Sequence, residues 1–254
     1  MMGEVEGYSV WFEPRVGELF GDFYYGARTR QRAGENFVLA DSQRDTWIRS
    51  IRGLVLDGAS SRFPETVGEG YLVIKEPQGS TGAPLLMEAL PESRQIFLVR
   101  DPRDVVASTL DAHREGGWAH GRSEEGAEDD RLANERPDEF VRMRTEMHYR
   151  RLERAWQAYE EHEGAKSLVR YEDLVSDTLD TVKRVYSDLG MVADENTLSA
   201  AVQKHSWESL PEGRKGGGKF YRRGGSGGWK EDLTREQIAI VEEITAPLIR
   251  EFYD

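Results

Sequence analysis

YLVIKEPQGSTGAPLLMEALPESRQIFLVRDPRDVVASTLDAH, residues 71–113, decides the fold. YLVIK is an apolar, β-rich run, and the turn-forming residues of EPQGSTGAP end it. LLMEAL reads as a short helix and QIFLVR, Gln95 to Arg100, as a second buried strand. RDPRDVVASTLDAH then opens a helix. Asp101 is placed to cap it, and Pro102 stands at the first helical position, where its missing N–H costs nothing. Strand, helix, strand, helix at this spacing implies a parallel sheet, and so an α/β fold.

Outward from this block the pattern continues. Phe140, Met143, Met147, Leu152, Trp156 and Tyr159 recur at near-helical spacing and predict a long helix from about Glu139 to Glu163. KSLVRYEDL, Lys166 to Leu174, reads as another strand, leading into a helix that ends near Gly190, a suitable C-terminal cap. Thr234 and Gln237 have capping-box spacing and start a last helix that runs to the end of the chain. The acidic, weakly periodic stretch from Gly121 to Phe140 is expected as a surface loop or lid. No internal repeat is evident.

The 254 residues fit a single domain, 1–254. With 38% hydrophobic and 32% charged residues the composition is that of a folded chain. A formal charge of -13 argues against nucleic acid as a partner, because affinity for a phosphate backbone comes from clustered Lys and Arg. The absence of cysteine excludes disulfides and thiolate metal sites and suits a reducing compartment. MMGEVEGYSV lacks the regions of a signal peptide, and no run approaches the roughly 18 apolar residues of a membrane span. The expectation is a soluble, cytoplasmic protein.

Against that acidic background, Arg214, Lys215, Lys219, Arg222, Arg223 and Lys230 follow one another with no acidic residue between them. In KFYRRGGSGGWK two adjacent arginines beside glycines can bring forked donors and bare backbone N–H groups onto one phosphate. The same composition also suits a flexible, solvated loop. Arg100 lies at the carboxyl end of a predicted strand and Ser108 eight residues on, where ligands of open α/β sheets collect. His113, His120 and His148 show no metal-ligand spacing, so no metal is expected.

RDPRDVVAS, VRYEDL and RRGGSGGWK, three separate motifs in order, together resemble the sulfotransferases that use 3′-phosphoadenosine 5′-phosphosulfate (PAPS) as donor. The resemblance implies a three-layer α/β/α fold with a central parallel sheet, like that of P-loop nucleotide hydrolases. It implies that Arg100 and Ser108 bind the donor's 3′-phosphate and that Arg222, Arg223 and the Gly224 backbone close over it. Two departures stand in the last motif: Arg223 replaces a lysine and Gly228 an aspartate. Tyr171 matches a residue that contacts adenine, and Trp207 in KHSWESL stands where an aromatic stacks on it. Trp229 is read as structural, holding the glycine loop in place.

The family's phosphosulfate-binding loop, with its strand, is not found in this sequence. MMGEVEGYSVWFEP resembles the segment that comes after that loop in the family, so the chain as written is expected to lack roughly 20 to 30 residues at its start, the size of a strand-turn-helix unit. The family's histidine base, two residues after the lysine that ends the YLVIK strand, is absent: Lys75 is followed by Glu76 and Pro77. Glu13 in WFEP resembles the glutamate of carbohydrate-type and bacterial members. It is expected as general base, in a desolvated site that raises its pKa. Lys75 is expected to help neutralise the transferring sulfuryl group.

These readings predict sulfuryl transfer from PAPS to a hydroxyl, less readily an amine, of a small-molecule, sugar or lipid acceptor. The rival is a truncated, non-catalytic relative that binds 3′,5′-diphosphoadenosine only. A P-loop kinase or hydrolase ranks below both, since neither a Walker lysine nor a magnesium-binding partner is visible.

Overall fold

The computed structural model describes residues 1–29, 36–68, 70–124 and 126–253. They fall into two compact units, each assembled from separate stretches of chain. The first comprises Met1–Phe97, Arg151–Ser167 and Lys183–Ala201; the second Leu98–Arg150, Leu168–Val182 and Val202–Asp254.

The order of elements follows the expected alternation. β1 (Tyr8–Phe12), α1 (Val16–Thr29), α2 (Arg44–Arg62), β2 (Tyr71–Lys75) and α3 (Ala83–Ala89) come first, then β3 (Gln95–Val99) and α4 (Pro102–His113). α5 (Ala127–Glu135), α6 (Pro137–Glu161), β4 (Lys166–Arg170), α7 (Tyr171–Ser176), α8 (Thr178–Asp188), α9 (Glu195–Lys204), α10 (Trp229–Asp232) and α11 (Arg235–Phe252) complete it. β1 and β2 pair in parallel, with Tyr8 opposite Tyr71 and Phe12 opposite Lys75. β3 and β4 form a second two-stranded ladder. A parallel pair needs a crossover, and α1 with α2 supplies it here.

Capping sets the helix starts. The Asp101 side chain accepts the Arg103 N–H at the start of α4, with Pro102 next in line. Thr234 and Gln237 complete a reciprocal capping box at α11. Gly190 follows α8 at φ 59°, in the left-handed region that glycine enters without strain.

Two expectations are corrected. The strand 166–174 stops at Arg170, and Tyr171 already begins α7. The acidic stretch 121–140 is not a loop but carries α5 and the start of α6. Glu128, Asp129 and Asp130 sit in the first turn of α5, where the N–H ends favour negative charge, while Leu132 and Ala133 are buried. A run of acids at a helix start and a short buried face are too brief a pattern to show as a period.

Each unit has its own core. In the first, Tyr24 of α1, Trp47, Ile48 and Ile51 of α2, and Leu85 and Ala89 of α3 pack together. In the second, Val106, Ala107 and Leu110 of α4 meet Leu132, Phe140, Val141, Ile240 and Val241. α4 is therefore fixed along its apolar face, which leaves its N-terminal turn and its Ser108 turn at fixed positions. No helix among the described residues is long and apolar enough to cross a membrane.

Candidate functional site

In the first unit the candidate residues lie at the carboxyl ends of β1 and β2. The Glu13 N–H donates to the Lys75 carbonyl at 2.8 Å, extending the ladder by one bond. Glu13 and Arg15 both hold left-handed backbone, φ 49° and 62°, which costs a non-glycine residue strain and sharpens the turn into α1. The Glu13 Oε1 lies 2.7 Å from Lys75 Nζ, so the structure brings together the two residues expected to act in catalysis. Their side chains are 53% and 48% exposed. The expected desolvated setting for Glu13 is thus corrected: its carboxylate is half in water and held by a lysine, because it stands on the turn beyond the last strand residue.

The less exposed carboxyl at this end is Glu76, half-buried and next in sequence to Lys75. It accepts N–H bonds from the first turn of α1, including Glu18 at 3.1 Å, while Oε2 is buried with no hydrogen-bond partner among the described residues. Burial pushes this carboxyl above the usual range, against the pull of the Val16, Gly17 and Glu18 N–H groups. Sequence reading passed over Glu76.

In the second unit the phosphate-site candidates gather around α4. Arg100 stacks its guanidinium 4.5 Å above the centre of the Tyr171 ring, and its Nε is buried without a partner among the described residues. Tyr171, matched to an adenine contact, is thus Arg100's stacking partner. Glu172, next in the YEDL motif, ties this corner together. One oxygen accepts the Asp101 N–H at 3.0 Å and the other the Tyr253 hydroxyl at 3.1 Å. Burial first, and this carboxylate second, push the Tyr253 phenol well above its ordinary value.

Ser108 is half-buried on α4, and its hydroxyl has no hydrogen-bond partner among the described residues. Asp111, three residues on, shares its face of the helix. Arg222 reaches that face: Nη1 is 3.6 Å from Asp111 Oδ1, and Nη2 is 2.8 Å from Asp232 Oδ2. Arg223 forks onto Glu231 at 2.9 Å and Asp232 at 3.1 Å. The arginines are held, but by carboxylates that sequence reading did not pair with them.

The glycine loop is anchored from α4. Asp104, buried, accepts the Gly227 N–H at 2.6 Å and the Trp229 N–H at 3.0 Å. Gly227 needs its freedom, at φ 81°. Arg103 lies 4.2 Å over the Trp229 ring and pairs with Asp101 and Glu242, and Trp229 also packs against the core of this unit. Gly224 lies flat against Trp207, where a Cβ would come within 2.6 Å of the indole, and Lys215 Nζ is 5.4 Å from that ring. The aromatic expected to stack on adenine thus carries the loop backbone on one face. Asp104 was visible in RDPRD, but a buried acid at the third helical position looks, in sequence, like any dipole partner.

The arrangement sets two arginines against three carboxylates beside Ser108's helix in the second unit and a carboxylate beside a cation in the first. No group of His, Asp and Glu that could hold a metal ion occurs among the described residues.

A family model described as sulfotransferase domain matches residues 83–253. No curated protein matches the chain. Among solved structures it is similar to mouse sulfotransferase SULT7A1 complexed with PAP, at a TM-score of 0.52 and 13% identity over 98% of this chain and 85% of that one. At that identity the likeness carries the fold: α/β, three-layered, with a central parallel sheet.

Proposed function

Since this chain belongs to the sulfotransferase family, we propose that it transfers a sulfuryl group from PAPS to a hydroxyl, less readily an amine, of a small-molecule, sugar or lipid acceptor. The chain acts as one sulfotransferase domain of P-loop-like type, without a metal, in the cytoplasm. The observation that carries this reading is Arg222 reaching Asp111, one turn beyond Ser108 on α4. Residues distant in sequence thereby offer a hydroxyl and a guanidinium to one anion. Arg100, with its orphaned Nε at the end of β3, adds a third donor of the kind a phosphate would satisfy.

In this reading Arg100, Ser108, Arg222, Arg223 and the Gly224 N–H hold the donor's 3′-phosphate, and Tyr171 and Trp207 border its adenine. PAPS supplies the sulfuryl group. Glu13 takes the proton of the acceptor hydroxyl as its oxygen bonds to sulfur and the bond from sulfur to the bridging phosphate oxygen breaks. Lys75 offsets charge on the sulfuryl oxygens, positioning and charge being most of what such a transfer requires. The 2.7 Å pair with Lys75 aims the Glu13 carboxylate.

Calorimetric titration tests the donor site. Arg222→Ala should weaken 3′,5′-diphosphoadenosine by about 100-fold, two charge-assisted bonds' worth, and adenosine 5′-phosphate by less than about threefold. Equal losses would return the segment to a solvated loop. Binding of diphosphoadenosine without transfer from labelled PAPS to any acceptor would favour the non-catalytic relative, and selective ATP binding would sink both.

A further inference from the structure

Resting on the donor-site reading above, we infer that Asp232 is a resident counter-anion of the 3′-phosphate site, which the phosphate must displace to bind. Three carboxylates surround the two arginines of the glycine loop: Asp111, Glu231 and Asp232. Counted as written, two positive charges face three negative ones. Even with Arg100 added, the charges only balance, so a dianionic phosphate arriving with every pair intact would meet no net positive charge, and at least one carboxylate has to yield.

The three are not equivalent. Glu231 is 76% exposed and its partner Arg223 42%, so water already competes for that contact and its loss costs little. Asp111 stands off at 3.6 Å. Asp232 and Arg222 are only 18% and 15% exposed, and Asp232 alone touches both arginines. Yet its Oδ2, 2.8 Å from Arg222 Nη2, is buried and makes no hydrogen bond among the described residues. The attraction there is charge at a poor angle, not a fork-on-carboxylate bond. A phosphate, with three oxygens to turn into the fork, offers Arg222 the geometry that Asp232 withholds.

Asp232 also sits in α10, a single turn that begins directly after the glycine loop, so the competitor and the arginines are carried by one continuous segment. Its effect is on affinity and discrimination, not on the chemical step. It lowers affinity for any 3′-phosphorylated nucleotide, donor or product, and keeps weaker anions off the arginines.

The test is titration calorimetry of 3′,5′-diphosphoadenosine and adenosine 5′-phosphate on the full chain, wild type and Asp232→Asn. The variant should bind diphosphoadenosine about tenfold tighter, one recovered charge-assisted bond, with adenosine 5′-phosphate changed by less than about twofold. Asp111→Asn, at a partly exposed helical position, should tighten diphosphoadenosine by about threefold, and carries the test if Asp232→Asn does not fold. Diphosphoadenosine bound equally or more weakly by the variants than by wild type would make these carboxylates orienting struts and overturn the inference, leaving the donor site standing. If wild type does not prefer diphosphoadenosine to adenosine 5′-phosphate, the donor-site reading itself fails, and this inference with it.

Discussion

Asp104 is where the fold and the proposed donor site depend on one side chain. It is 2% exposed, lies in the first turn of α4, and accepts two backbone N–H bonds from the glycine loop. Hydrogen bonds to a charged group contribute about 1.5–3 kcal/mol each. Asp104→Ala removes both and leaves two N–H groups facing a small void, for a loss of about 3–5 kcal/mol. Asp104→Asn keeps the shape, but it points an NH2 at one of the two N–H donors, for about 2–3 kcal/mol. Urea unfolding reads these losses. The loop also carries Arg222 to Gly224, so calorimetry on the folded Asn variant should show diphosphoadenosine weakened by about 10- to 100-fold, with adenosine 5′-phosphate nearly unchanged. A variant of wild-type stability with undiminished preference for the 3′-phosphate would refute the anchoring argument.

Two more outcomes rest on particular groups. Glu13→Gln should reduce turnover with labelled PAPS by about 100-fold or more while diphosphoadenosine binding persists, and undiminished turnover would remove Glu13 from the mechanism. Tyr186, whose buried hydroxyl has no hydrogen-bond partner among the described residues, is pushed up to about 12 by burial, with Tyr8 adding to the effect. The fold favours its neutral form, so that contribution is whole below the ordinary value of 10 and is lost as the pH rises from there through about 12. Tyr186→Phe should flatten this part of the alkaline unfolding profile and leave stability at neutral pH unchanged or about 1 kcal/mol higher; an unaltered profile would count against it.

What was legible in the sequence was local. Caps, strand runs and the three motifs depend on neighbours within a few residues, and Asp101, Pro102, Thr234 and Gln237 all do in the structure what their spacing implies. The naming of Glu13 came instead from the resemblance; its pairing with Lys75 was not foreseen, and the β1–β2 register shows why it forms: Phe12 faces Lys75, so the next residue on the turn meets the lysine. What the sequence did not disclose is which acids sit against which bases. Asp104 meets Gly227, and Arg222 meets Asp111, across more than a hundred residues, and a chain this rich in both signs offers too many partners for composition to choose among. The less exposed carboxyl was expected at Glu13 and is found at Glu76, since burial depends on how α1 packs and not on the residue's own neighbours.

The two departures in the last motif are coupled in space. A Cβ on Gly228 would lie 3.0 Å from Arg223 Nη1 and 3.3 Å from its Cδ, so the arginine side chain lies across the position where the resemblance expects aspartate. The backbone is not the reason for glycine here, for φ is -64°, a value any residue adopts. Arginine in place of lysine adds a fork wide enough to reach both Glu231 and Asp232, and it needs the room that glycine leaves. Gly228→Asp alone should therefore force Arg223 off its partners and crowd a fourth carboxylate onto the arginines, weakening diphosphoadenosine by about tenfold. Adding Arg223→Lys should recover most of that loss, although Arg223→Lys by itself weakens binding. The two changes should thus couple favourably by about 1 kcal/mol in a double-mutant cycle read by calorimetry. Strict additivity would show that the two positions vary independently and that Arg223 lies across Gly228 without dependence on it.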